Sequence, residues 1–230
     1  MDESKRSFTP LWPRVALFDL DGTLVDSAPD LAAAIDEMLL SLGRPPAGRD
    51  KVRQWVGNGA QVLVRRALTD RTDWENAAPI EEPLFRDASG QFSRAYEALN
   101  GRCSTVFEGV EPCLKRLHEA GCAMAVVTNK PERFVQPLLE SMGLEHWFDM
   151  LIGGDTLAVK KPDAAPLLLA MRTLGGTPGT TVMIGDSAAD AEAARNAGLP
   201  AILVRYGYNY GTPVDDLGAD VVVDSLAELL

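Results

Sequence analysis

The feature that most restricts this chain is a series of short, unbroken apolar runs, most of them closed by a polar cluster, at 15–18, 124–127, 150–152, 182–184, 201–204 and 221–223. A strand with one wet face would alternate apolar and polar residues. Continuous apolarity over four or five residues instead marks strands covered on both faces, as in a parallel sheet.

Helical stripes lie between these runs. Residues 108–121 place Val110, Leu114 and Leu117 on one side and stop at Gly121. Residues 131–143 do the same with Phe134, Val135, Leu138, Leu139 and Met142, with Pro137 making the first turn irregular. Residues 163–175 and 187–198 repeat the scheme, ending at Gly175 and Gly198. Strand and helix in alternation predict an α/β, Rossmann-like parallel sheet with helices on both faces. The first strand is separated from the rest by a helical stretch. Leu31, Ile35, Met38, Leu39 and Leu42 share a face before Gly43. Val52, Val56, Val62, Val64 and Leu68 give a weaker stripe, and a third helix over 84–99 is interrupted by Gly90. The expected organisation is a poorly ordered leader at 1–13, a catalytic core of 14–26 and 104–230, and an inserted small α-helical cap domain at 27–103.

The formal net charge of −11 argues against a nucleic-acid partner, which needs a basic footprint. No apolar run approaches the ~20 residues that span a bilayer, and the first residues lack the apolar middle of a secretory signal. Cys103, Cys113 and Cys122 form no C-x-x-C pair and read as reduced packing residues, which implies a cytoplasmic protein. His118, His146 and the four tryptophans read as packing too.

The chemistry concentrates at strand ends. Asp19 and Asp21 close the first run, two residues apart and therefore aimed to one side, before the turn at Gly22. Asp186 and Asp190 follow the 182–184 run, where a helix begins; at i and i+4 they would share a helix face. Thr128 and Asn129 follow the 124–127 run ahead of a helix whose free N–H groups suit phosphate oxygens. Lys160 and Lys161 precede another helix, and lysine is a point-charge partner for phosphate. Taken singly, these are acidic turns, helix caps and solvated lysines. Together, four carboxylates at one sheet edge would repel strongly without a cation among them, and all-oxygen ligation suits Mg2+.

The ordered set Asp-x-Asp-Gly-Thr (19–23), Thr-Asn (128–129), Lys-Pro (161–162) and Gly-Asp-x-x-x-Asp (185–190) resembles the haloacid dehalogenase (HAD) superfamily of phosphotransferases. The resemblance runs from about Val15 to Leu230. It implies Asp19 as nucleophile, Asp21 as general acid and base with its backbone carbonyl on Mg2+, Asp186 as a further Mg2+ ligand with Asp190 in support, and Thr128 and Lys161 holding the phosphoryl group. The dehalogenase branch is disfavoured, since its members lack an acid at the position of Asp21.

Within the superfamily, Val56-Gly-Asn-Gly-Ala60, Val127-Thr-Asn-Lys-Pro131, Ile152-Gly-Gly-Asp155, Lys160-Lys-Pro-Asp163 and Tyr206-Gly-Tyr-Asn-Tyr-Gly211 resemble the bacterial branch that hydrolyses 2-phosphoglycolate to glycolate and phosphate. The substrate's second anion then needs a donor or cation. Gly57, Asn58 and Gly59 are the expected site, with Arg53, Arg65 and Arg66 nearby. The alternatives are a related sugar-phosphate phosphatase, such as one for N-acetylmuramic acid 6-phosphate, and a non-catalytic phosphate-binding module. The sequence leaves the oligomeric state open.

Overall fold

A computed structural model describes residues 13–209 and 211–229. The expected leader and Tyr210 therefore lie outside the described residues, except for Pro13. Eight strands and eight α-helices are found among those described. They are β1 (Val15–Phe18), β2 (Val25–Asp26), α1 (Ala28–Ser41), α2 (Arg49–Arg53), α3 (Ala60–Thr69), α4 (Glu82–Leu99), β3 (Thr105–Val106), α5 (Val110–Glu119), β4 (Ala123–Val127), α6 (Val135–Met142), β5 (Met150–Ile152), α7 (Ala165–Thr173), β6 (Thr181–Gly185), α8 (Ala188–Ala197), β7 (Ala201–Val204) and β8 (Val221–Val223).

Six strands form one parallel sheet in the order β5-β4-β1-β6-β7-β8. The period-two side-chain rule divides β1 between two cores. Ala16 and Phe18 pack with α5 and α6 through Val110, Leu114, Leu138 and Leu139. Val15 and Leu17 pack with α7 and α8 through Leu167, Ala170, Ala193 and Ala194 on the other face. All four β1 side chains are fully buried, each large one worth about 1.5–3 kcal/mol. Both faces of β1 are thus saturated, which is why its run shows no alternation. The expected irregular first turn near Pro137 appears as a 3-10 turn at Glu132–Phe134 leading into α6.

The chain leaves the sheet after β1 and returns through a two-stranded antiparallel ribbon, β2 with β3. Between them, α1 to α4 pack around a separate cluster that includes Ile35, Met38, Val64, Phe92 and Tyr96. Asp30, in the first turn of α1, secures the exit: its carboxylate accepts from the backbone N–H of Gly101, Cys103 and Ser104 and from the Ser104 hydroxyl. Two expectations are corrected here. Gly90 does not interrupt its helix, because α4 runs unbroken from Glu82 to Leu99. A mid-helix glycine costs about 1 kcal/mol, and the buried stripe of Phe85, Ala88, Phe92, Ala95 and Tyr96 outweighs that. The weaker stripe over 52–68 is two helices, α2 and α3, separated by a turn in which Gly57 and Gly59 hold positive φ.

Among the described residues no helix is long and apolar enough to cross a membrane.

Candidate active site

The sheet order reverses at β1, which lies between β4 and β6. Open α/β sheets bind ligands outside the carboxyl ends of strands at such a switch point. Asp19 leaves β1 there, Thr128 leaves β4 and Asp186 leaves β6, all buried. Lys161, in the loop between β5 and α7, reaches the same place, 1% exposed at its side chain.

Carboxylate oxygens of Asp19, Asp186 and Asp190 lie within 4.8 Å of one another. Lys161 Nζ stands 2.6 Å from Asp190 Oδ1 and 3.0 Å from Asp19 Oδ1. The Asp19 contact is an ion pair without hydrogen-bond alignment, so Oδ1 remains without a hydrogen-bond partner. Burial, only partly offset by Lys161, raises Asp19 from 3.8 to about 6. Burial raises Asp186 far more, with Asp190 and Asp19 adding repulsion. For Lys161 burial works downward, but Asp19 and Asp190 overcome it and hold the ammonium above the usual lysine range. Three carboxylates thus share one lysine in a dry site. That donor set, hard oxygens with a deficit of positive charge, fits a divalent cation.

The ligand roles divide unevenly. Asp186 is braced by Thr23 Oγ1 at 2.7 Å on Oδ1 and by Tyr208 N–H at 2.6 Å on Oδ2, which leaves each oxygen a further lone pair. Asp190 is more heavily engaged: Oδ1 takes Lys161, and Oδ2 accepts from Asp186 N–H, Ser187 N–H and Ser187 Oγ. It closes a capping box at the start of α8. The expectation that Asp186 and Asp190 share a helix face is therefore corrected. The helix begins at Ala188, and Asp186 stands ahead of its N-cap on the strand-end turn. Gly22 and Gly207 crowd Asp186 so closely that a Cβ at either would collide with its carboxylate.

Asp21 points away from this cluster. Its carboxylate accepts from Ser27 Oγ at 2.5 Å and from Lys130 Nζ at 3.0 and 3.2 Å. Lys130 also donates to Tyr96 Oη, 2.5 Å away on α4. A cavity of about 30 Å3 lies between sheet and insert, lined by Asp19, Asp21, Thr128 and Asn129 below and by Gly57, Gly59 and Tyr96 among others above. The first turn of α3 opens onto it, so its free N–H groups favour an anion there.

Several residues expected to meet substrate are engaged by the protein itself. Asn58 is turned away, its amide oxygen accepting from Arg66 and its carbonyl from Lys160. Asn129 spends its amide N–H groups on the carbonyls of Gly57 and Lys161, leaving an acceptor where a phosphate would need a donor. It joins insert to core. Thr128 Oγ1 accepts from Lys130 N–H, retains its own hydrogen as a donor, and lines the cavity. Arg53 donates to Tyr206 O and lies over the Tyr208 ring. Arg65 covers the rings of Trp74 and Phe85. Arg66, buried, donates to Trp55 O and Thr72 O. These arginines knit the insert together and to the Tyr206–Tyr208 loop; none of them lines the cavity.

Three residues of the centre escaped the sequence reading: Lys130, Tyr96 and Tyr208. Lys130 and Tyr208 sit inside quoted motifs. The signal available for Lys130 was a lysine directly after a buried strand and its Thr-Asn pair. Tyr96 belongs to an ordinary apolar stripe on α4, and nothing in that stripe distinguishes it.

At the switch point, then, Asp19 stands beside buried Lys161, and Asp186 is braced on the neighbouring strand. The haloacid dehalogenase-like hydrolase family matches residues 13–198. The chain belongs to that family.

Its relatives carry more specific names. A phosphoglycolate phosphatase of Pseudomonas putida is 49% identical over the whole chain and 83% of its own length. Phosphoglycolate phosphatase 1 of Pseudomonas aeruginosa is 47% identical over the same shares. A solved structure of a predicted phosphoglycolate phosphatase from Haemophilus somnus 129pt superimposes with a TM-score of 0.87 at 36% identity, over 94% of this chain and 96% of the other.

Proposed function

We propose that the chain is a Mg2+-dependent phosphomonoesterase that hydrolyses 2-phosphoglycolate to glycolate and phosphate. The observation that carries this reading is Asp19, buried at the switch point, lining the cavity and paired with Lys161. The names of the relatives support the substrate.

Mg2+, held by Asp19, Asp186 and the Asp21 backbone carbonyl, would neutralise the phosphoryl oxygens. Lys161 holds the same oxygens by charge, and Thr128 offers its hydroxyl. Asp19 attacks phosphorus; the ester P–O bond breaks and an aspartyl phosphate forms. Asp21 gives its proton to the departing oxygen, then takes one from the water that cleaves the aspartyl phosphate. Ser27 and Lys130 fix the Asp21 carboxylate for both transfers.

The insert acts as a cap. The cavity of about 30 Å3 is roughly twice the ~10–15 Å3 that admits one water, so the insert moves outward to admit substrate and returns to exclude water. Its seating rests on contacts from Lys130 to Tyr96, Asn129 to Gly57, Lys160 to Asn58 O at 2.7 Å and Arg53 to Tyr206 O at 2.8 Å. Leu31, Val56, Leu63, Phe92 and Phe134 line the same space and offer no hydrogen-bond partner to the hydroxyls of a sugar, which counts against the alternative reading. The unpaired cysteines agree with a cytoplasmic setting.

The test is phosphate release from a panel of 2-phosphoglycolate, hexose phosphates, N-acetylmuramic acid 6-phosphate and pyrophosphate, with Mg2+ and with chelator. The reading requires a clear preference for 2-phosphoglycolate and dependence on the metal. Preference for a bulky sugar phosphate would overturn the substrate and leave the reaction class standing.

A further inference from the structure

An ester of phosphate and glycolate places a carboxylate one methylene beyond the ester oxygen. The phosphoryl group belongs at Asp19 and the ester oxygen at Asp21, so the second anion must lie just past Asp21. That position is where Lys130 and Tyr96 meet. Lys130 Nζ is 3.0 Å from Asp21 Oδ1, and of the side chains lining the cavity it is the one that is cationic. Lys160 and Arg53 do not line the cavity; they donate to the Asn58 and Tyr206 carbonyls.

Tyr96 completes the arrangement from the insert side. Tyr96 lines the cavity, its hydroxyl accepts a hydrogen bond from the Lys130 ammonium, and its own hydrogen has no acceptor among the described residues. Burial pushes the phenol well above its ordinary value, with Asp21 and Asp30 adding to the effect, so the hydrogen stays in place to be donated. An ammonium has three donors, and Asp21 and Tyr96 are two partners. The ring is held by stacking on Phe92 at 5.6 Å and by an edge contact with Phe134 at 5.0 Å. Cation and hydroxyl therefore face the same small space, one from the core and one from the insert.

We infer that Lys130 and Tyr96 form the recognition site for the substrate's carboxylate, and so determine specificity for short acidic phosphate esters. This inference rests on the proposed function. It also gives the seated insert a chemical meaning: the site is whole only when Tyr96 of α4 reaches Lys130 in the loop after β4.

The experiment compares kcat/KM for 2-phosphoglycolate with that for ethyl phosphate, which lacks the carboxylate, in wild type, Tyr96→Phe, Lys130→Met and Lys130→Arg. Affinity for two inert phosphonates, 3-phosphonopropionate and propylphosphonate, reads the same discrimination without turnover. Wild type is expected to prefer the carboxylate-bearing partner of each pair. The preference should fall by about tenfold or more in Tyr96→Phe and Lys130→Met, the scale of one hydrogen bond to a charged group, and should return in part in Lys130→Arg. Tyr96→Phe retains the ring contacts, so its fold is preserved if Lys130→Met proves unstable. Unchanged preference in the variants, or equal loss on both substrates, overturns the inference while the proposed function stands. Absence of any preference in wild type overturns both.

Discussion

Lys161 and Asp190 form an ion pair of 2.6 Å in which the lysine side chain is 1% exposed and the aspartate 0%. The same carboxylate closes the capping box of α8 with its other oxygen. One residue thereby starts a helix and aims an ammonium at Asp19. Replacing Asp190 with Ala leaves a buried lysine half compensated and the helix uncapped. The expected loss is about 3–5 kcal/mol, read as a shift in urea midpoint at unchanged slope, together with a large fall in activity.

Asp19→Asn removes the proposed nucleophile and a buried carboxyl at once. Phosphate release is expected to drop by at least about 10^3-fold, while the thermal midpoint in chelator holds or rises. Full hydrolysis by a clean preparation of this variant would refute the covalent scheme.

Asp19 also carries a pH signature. Its carboxyl moves from 3.8 in an unfolded chain to about 6 in the fold, burial being the main cause. Below pH 3.8 both states keep the proton and no penalty applies. Between 3.8 and 6 the unfolded chain releases it while the folded chain holds it, so stability falls as pH rises. Above 6 the loss is complete, about 3 kcal/mol from this group. Denaturation of wild type against Asp19→Asn from pH 3.5 to 7, in chelator, measures it; a difference that does not change with pH would contradict the burial.

A cation bound among these carboxylates stabilises the folded chain by mass action, about 2.7 kcal/mol at a hundred times its Kd. Mg2+ is expected to raise the melting temperature of wild type, with little gain in Asp186→Asn. An equal gain in both would place the metal elsewhere.

Gly207 lies against Asp186, and a methyl group there must displace that side chain or the loop beyond Tyr206. Gly207→Ala is expected to raise the Mg2+ concentration needed for half-maximal activity by about tenfold or more, the scale at which altered support of a metal ligand is felt.

Much of the centre was legible in the linear chain, because strand ends are local features. A buried run followed by Asp, Thr or Gly-Asp puts those residues at the carboxyl edge whatever the remaining topology. What stayed hidden depends on direction across space. Arg53, Arg65 and Arg66 look like free cations in sequence, yet each is consumed by a carbonyl or an aromatic ring a helix or more away. Asn58 looks like a donor and is held by Arg66. Tyr96 looks like core, and its ring is core; only its hydroxyl, brought to Lys130 by the packing of α4, enters the site. Gly90 looked like a break because propensity is local, whereas the stripe that overrides it is tertiary.

β1 occupies the middle of the sheet and is the first of the described strands in chain order. Its two neighbours, β4 and β6, lie far downstream, from Ala123 and Thr181 respectively. Synthesis therefore delivers a fully buried strand before the strands that flank it, while α1 to α4 can assemble from nearby segments in the meantime. Long-range parallel pairing is slow and prone to clumping. The nascent chain carries that hazard until β6 emerges, and the helical insert is the first part able to fold in its shelter.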